Sequence, residues 1–256
     1  MPRIELSAEL RAALVFAGIV AAMGAVLAGL LATGRLDPES DTRLVISFGL
    51  GLVAACALSS SLAFLLNLRH RLLLLTLSSG LVAAGAFALG WTPVEGVAKI
   101  LFATTAGLWL AMMLTTISQV LLIAALIIFV DFWSVFLGPT KHMVESGGPW
   151  IDYFTISLPV FGADAVSRLG VSDIIFFSLF VGCALIWRLR RLLTAIALAC
   201  SFVVTMVIGV SLDVGVPALP LLSIAFLLAN GDLLYHRFLE EPEENRERHG
   251  GRKPKK

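Results

Sequence analysis

Charge is scarce in this sequence. Only 14% of its 256 residues are Asp, Glu, Lys or Arg, against about a quarter in ordinary soluble domains. A soluble chain of this length could not cover its core with so little polar surface. Apolar residues make up 58% and the mean hydropathy is +0.93, so the solvent that suits the chain is lipid. Neither sign of charge dominates: a net charge of +1 offers no field to gather nucleic acid. The three cysteines, Cys56, Cys183 and Cys200, each lie inside an apolar run. Their spacing matches no metal motif, and they read as small buried hydrophobes rather than a disulfide or ligands. His70, His142, His236 and His249 fall in loops or the tail and form no ligand set. No metal and no organic cofactor is expected.

What the sequence has in plenty is long apolar runs. Crossing the hydrocarbon takes about 20 apolar residues as helix. The first run, Ala12 to Gly34, is too long for a signal peptide and reads as a retained membrane helix. Further spans are expected at 44–66, 72–91, 171–187, 192–212 and 215–235. Between them, 97–138 is one apolar stretch, about 63 Å long as a single helix and therefore twice too long. It must fold back, and Thr115-Thr116-Ile117-Ser118-Gln119 is the only polar place to turn. The fold class is thus an all-α polytopic membrane protein with about eight transmembrane helices.

Breaks between the spans are marked by charge and proline: Arg35 to Arg43, Asn67 to Arg71, and Trp91-Thr92-Pro93, where Pro93 suits a helix start. The long polar connection runs from Pro139 to Arg168. The tail from Glu240 to Lys256 is charged without an apolar face and is expected to be disordered. With eight helices and a cytoplasmic N-terminus, only Arg35, Arg43, Lys99, Lys141 and Arg168 of the 19 Lys and Arg residues lie outside. That asymmetry, carried largely by the tail, predicts cytoplasmic termini and a location in the cell membrane.

A charge at membrane depth is costly and is a functional candidate by default. Two stand out: Asp131, after the run Leu121 to Val130, and Asp173, in Val171-Ser172-Asp173-Ile174-Ile175. Asp131 lies near the end of one expected helix and Asp173 near the start of the next, joined by one outside loop, so the two can meet. Two carboxyls that meet in a low-dielectric site cannot both ionise readily and share a proton. That state suits aspartyl hydrolysis, in which one carboxylate takes a proton from water while the other donates one to the carbonyl oxygen. The competing reading is that each aspartate caps a helix or bonds a neighbouring hydroxyl, and for Asp173 alone that reading is favoured. Asp213 and Asp232 lie near helix ends and are expected to face headgroups or to cap.

Two further features accompany the pair. Gly215-Val216-Pro217-Ala218-Leu219-Pro220 sets two prolines three apart, which leaves backbone groups unpaired. Such a backbone is tolerated at membrane depth only against protein or a wet cavity, although proline in a first helical turn explains it equally well. In the long loop, Tyr153 to Phe161 alternates apolar residues at 154, 156, 158 and 160, a strand pattern that Pro159 confines to an edge. Such an edge could take up an extended substrate segment as an added strand. A stretch lying on the membrane surface would show the same pattern.

Three blocks resemble the presenilin and signal-peptide-peptidase family of intramembrane aspartyl proteases, which carries Tyr-Asp, Gly-x-Gly-Asp and Pro-Ala-Leu in successive helices. Here they are Val130-Asp131, followed by a similar stretch through Pro139 and Met143-Val144-Glu145; Gly170-Val171-Ser172-Asp173, running into Ile174 to Leu179; and Pro217-Ala218-Leu219. Order and spacing match over 121–235. Val130 stands where the family has tyrosine, Ser172 where it has its second glycine, and eight helices are counted where the family usually has nine. The resemblance implies a presenilin-like catalytic half and a division into N-terminal transmembrane helices (1–115), a catalytic transmembrane region (116–239) containing the loop 139–168, and the tail (240–256). It implies Asp131 and Asp173 as catalytic residues, Pro217, Ala218 and Leu219 as substrate-binding residues, and transmembrane segments of other proteins as substrates. Two alternatives stay open: a proton-coupled membrane transporter, against which the lack of an internal repeat counts, and a catalytically silent relative that only binds membrane helices.

Overall fold

The computed structural model describes residues 62, 66, 69–136, 150–159, 166–212 and 216–250. The expected spans at 12–34 and, but for two residues, 44–66 lie outside the described residues, as do Cys56, His142 and Asp213. In chain order the elements are α1 (Arg69–Ala88), α2 (Thr92–Met113), α3 (Ile117–Phe136), α4 (Trp150–Phe154), β1 (Thr155–Pro159), β2 (Val166–Gly170), α5 (Val171–Ile186), α6 (Arg191–Leu212) and α7 (Ala218–Gly250). The described residues are mostly helical, and among them four helices are long and apolar enough to cross a membrane: Arg69–Ala88, Val94–Met113, Ile117–Ser134 and Ala218–Leu239. Val171–Ile186 and Arg191–Thr205 are apolar but shorter.

The long apolar stretch breaks at the polar patch, as its length demanded. Thr116 and Gln119 form a capping box: the Gln119 N–H donates to Thr116 Oγ1 at 3.3 Å, and the Thr116 N–H donates to Gln119 Oε1 at 3.4 Å. The Thr115 N–H also reaches Gln119 Oε1, at 2.8 Å. These bonds satisfy donors that the first turn of α3 would otherwise leave bare. Proline lies in the first turn of α2, which starts at Thr92.

Small residues bring α2 against α5. A Cβ on Gly107 would collide with the Ile175 carbonyl oxygen and lie 2.8 Å from the Ser178 Cβ, so glycine is what lets the two backbones approach, as is common between membrane helices. α2 also packs on α1, while α7 packs on both α3 and α6. Phe180 on α5 stacks on Phe226 of α7 with ring centroids 4.4 Å apart, joining the two groups of helices. Cys183 is buried in this core. Midway along α7, the buried Asn230 amide donates to Thr194 Oγ1 at 2.8 Å, and Arg190 reaches both Asp232 oxygens at 3.0 and 2.5 Å. Asp232 thus ties α7 to the start of α6 by an ion pair.

β1 and β2 form a two-stranded antiparallel sheet in which Thr155 pairs with Gly170, Ile156 with Leu169 and Pro159 with Val166. The strand expected over 153–161 is therefore present but shorter, because Tyr153 and Phe154 close the short helix α4. The last helix, α7, runs to Gly250, into the first part of the charged tail.

Candidate active site

Asp131 arrives on the inner face of α3. Ile117, Val120, Ala124 and Ile127 are buried and recur every three or four residues, and the next step of that stripe is Asp131. The opposite face, with Leu122, Leu126, Phe129, Val130 and Trp133, is exposed, as a face toward lipid would be. An acid in the helix seam needs a donor, and α7 supplies one. The Leu219 N–H donates to Asp131 Oδ2 at 3.2 Å. Leu219 is the second residue of α7, so its N–H is one of the donors that a helix start leaves without an internal partner. Pro217 and Pro220 are buried around it. The two readings of Pro217-Ala218-Leu219 thereby merge: the segment is a helix start with proline in its first turn, and its free donor is spent on Asp131.

Asp173 is the third residue of α5, half-buried, and its carboxyl accepts a hydrogen bond from the Gly170 N–H. That bond is one half of a capping box. The carboxyl folds back so closely that a Cβ on Gly170 would lie 2.7 Å from Asp173 Oδ2 and 3.1 Å from its Cγ. The first glycine of the Gly-x-x-Asp block is thus what leaves the carboxyl room to fold back. The backbone there, φ −64° and ψ 134°, is open to any residue.

The two carboxyls are near enough for the charge on Asp131 to act on Asp173. Asp131 stands on α3 and Asp173 on α5, and of the two it is Asp131 that takes the Leu219 N–H at the start of α7. Val130 and Ser172, the neighbours of the two acids, are exposed. Among the described residues no group of three His, Cys, Asp or Glu side chains could hold a metal ion.

One pair of residues near the site escaped the sequence reading. Lys99, counted there only as an outside charge, is 8% exposed within α2. It pairs with Glu95 at 2.5 Å and donates to the backbone carbonyls of Asp152 at 2.5 Å and Thr155 at 3.0 Å. The signal was available: an acid and a base four apart in an otherwise apolar helix.

No family model matches the chain, and no curated protein or solved structure matches it.

Proposed function

We propose that the protein is an intramembrane aspartyl protease that hydrolyses peptide bonds within transmembrane segments of other membrane proteins. What supports this reading is that Asp131 and Asp173, on separate helices, are near enough for the charge of one to act on the other, with Asp131 held by the Leu219 N–H. In the proposed reaction one carboxylate takes a proton from water as its oxygen bonds to the substrate carbonyl carbon. The other acid gives its proton to the carbonyl oxygen. The tetrahedral intermediate then collapses, the C–N bond breaks, and the amine leaves with a proton. The enzyme returns with one proton shared between the two acids.

The resemblance of the three blocks to the presenilin and signal-peptide-peptidase family supports the same reading. Pro217-Ala218-Leu219 would border the substrate, and β1 would offer it an edge. The protein would be a multi-pass component of the cell membrane with both termini cytoplasmic. One observation favours a second reading: each aspartate already has a backbone donor at a helix start, which is all that a silent helix-binding relative would need.

Cleavage of a single-span substrate by the purified protein, followed across pH, separates the two. A dyad that must hold one protonated and one ionised carboxyl gives a bell-shaped dependence of kcat/KM. Absence of cleavage at every pH removes the protease reading.

A further inference from the structure

Lys99 is placed where a membrane helix seldom carries an unpaired charge, and it is fully partnered. An ammonium group has three protons, and three acceptors surround this one: Glu95 Oε1, the Asp152 carbonyl and the Thr155 carbonyl. The Phe87 ring of α1 closes a further side, with Nζ 5.7 Å from its centroid. Tyr153 lies against that ring at 4.2 Å. α1, α2 and the chain entering the hairpin therefore converge on one nitrogen.

The two carbonyls it holds are not incidental. Asp152 belongs to α4, whose five residues leave its carbonyls without helical partners. Thr155 opens β1 and is the register partner of Gly170. Gly170 is the residue that donates to the Asp173 carboxyl and over which that carboxyl folds. A second tie crosses the same hairpin, where Arg168 of β2 pairs with the Asp152 carboxylate at 3.0 Å. A continuous path runs from Lys99 through Thr155 and Gly170 to the acid. Meanwhile α2, which carries Lys99, packs directly on α5 through Gly107.

We propose that Lys99, paired with Glu95, is a positioning residue that pins the β1–β2 hairpin to α2 and so fixes the Asp173 carboxyl at the start of α5; its part in turnover rests on the protease reading above. Glu95 keeps the ammonium in place, four residues earlier in the favourable order. The donors to the two carbonyls do the pinning.

The test uses the full chain and three variants, read by kcat, KM, melting temperature and backbone hydrogen exchange over 155–159 and 166–170. Lys99→Met should lower kcat about 10- to 100-fold, as expected when an acid is misplaced by up to about an ångström, with KM changed far less. Its hairpin amides should exchange about 10-fold faster while those of α7 hold. Lys99→Arg keeps donors and should recover most of kcat. Exchanging the pair, Glu95→Lys with Lys99→Glu, keeps the ion pair but puts a carboxylate, which cannot donate, beside the carbonyls, and should fail as Lys99→Met does. Full kcat in the exchanged pair, or in Lys99→Met, would overturn the proposal. Where Lys99→Met does not fold, Lys99→Gln, too short to span both carbonyls, takes its place with the same expectations. If the wild-type chain cleaves nothing, the protease reading falls, and hydrogen exchange alone decides the latch: unchanged hairpin exchange removes it.

Discussion

Replacing Gly170 with alanine separates folding from chemistry at this site. The backbone at Gly170 is one that alanine adopts freely (φ −64°, ψ 134°). A Gly→Ala change at such a position stabilises by about 0.4–1 kcal/mol through the unfolded chain. The added methyl, however, lands 2.7 Å from Asp173 Oδ2, where ordinary contact begins near 3.4 Å. The carboxyl must therefore retreat by about 0.7 Å to relieve the overlap. It is the free end of a side chain, so it can retreat at little cost to the fold. A reacting group misplaced by that much loses on the order of 10- to 100-fold in kcat, about 1.4–2.7 kcal/mol of barrier. The assay is turnover of a single-span substrate by purified protein in detergent, beside thermal unfolding of the same preparation. The expected result is an unchanged or slightly raised melting temperature with a strongly lowered kcat. Full turnover in Gly170→Ala would show that the Asp173 carboxyl need not sit where the structure puts it.

Two further outcomes are expected. Ile156→Pro removes a backbone donor from β1 and a fully buried side chain; it should cut cleavage severalfold while helical circular dichroism persists, and unchanged turnover would show that β1 does not present the substrate. A cysteine placed at Gly148 should react with an impermeant thiol reagent in intact cells, because the loop 139–168 is expected outside; reaction only after lysis would reverse the topology.

How much of this was legible in the sequence depended on how local the cause was. The break in the long apolar stretch was legible because length forces it and Thr116 and Gln119 carry their own cap. The strand at 155–159 was legible from its alternation and its edge proline. Its partner β2 was not: Val166-Ser-Arg-Leu-Gly has no clear period, and its pairing is decided by the short connection and by Leu169 packing into the core. That Asp131 and Asp173 lie near enough to act on one another electrostatically is compatible with the count of helices and one loop. That Leu219 donates to Asp131 did not follow, since it joins residues 88 apart in sequence. The partners of Lys99 did not follow for the same reason. Its acceptors are backbone carbonyls more than fifty residues away, and no side-chain pattern announces a backbone acceptor.

The central claim is that Asp131 and Asp173 act together on a peptide bond. The most direct test compares the wild-type chain with Asp131→Asn and Asp173→Asn in liposomes holding a single-span substrate, with products identified by mass spectrometry. Asparagine keeps an oxygen that can still accept from the Leu219 or Gly170 N–H, so both variants should fold with melting temperatures close to wild type. Neither can supply the missing protonation state, so both should lose cleavage entirely. Specific cleavage by the wild type and none by either folded variant is the predicted result; cleavage retained by either variant would contradict the account.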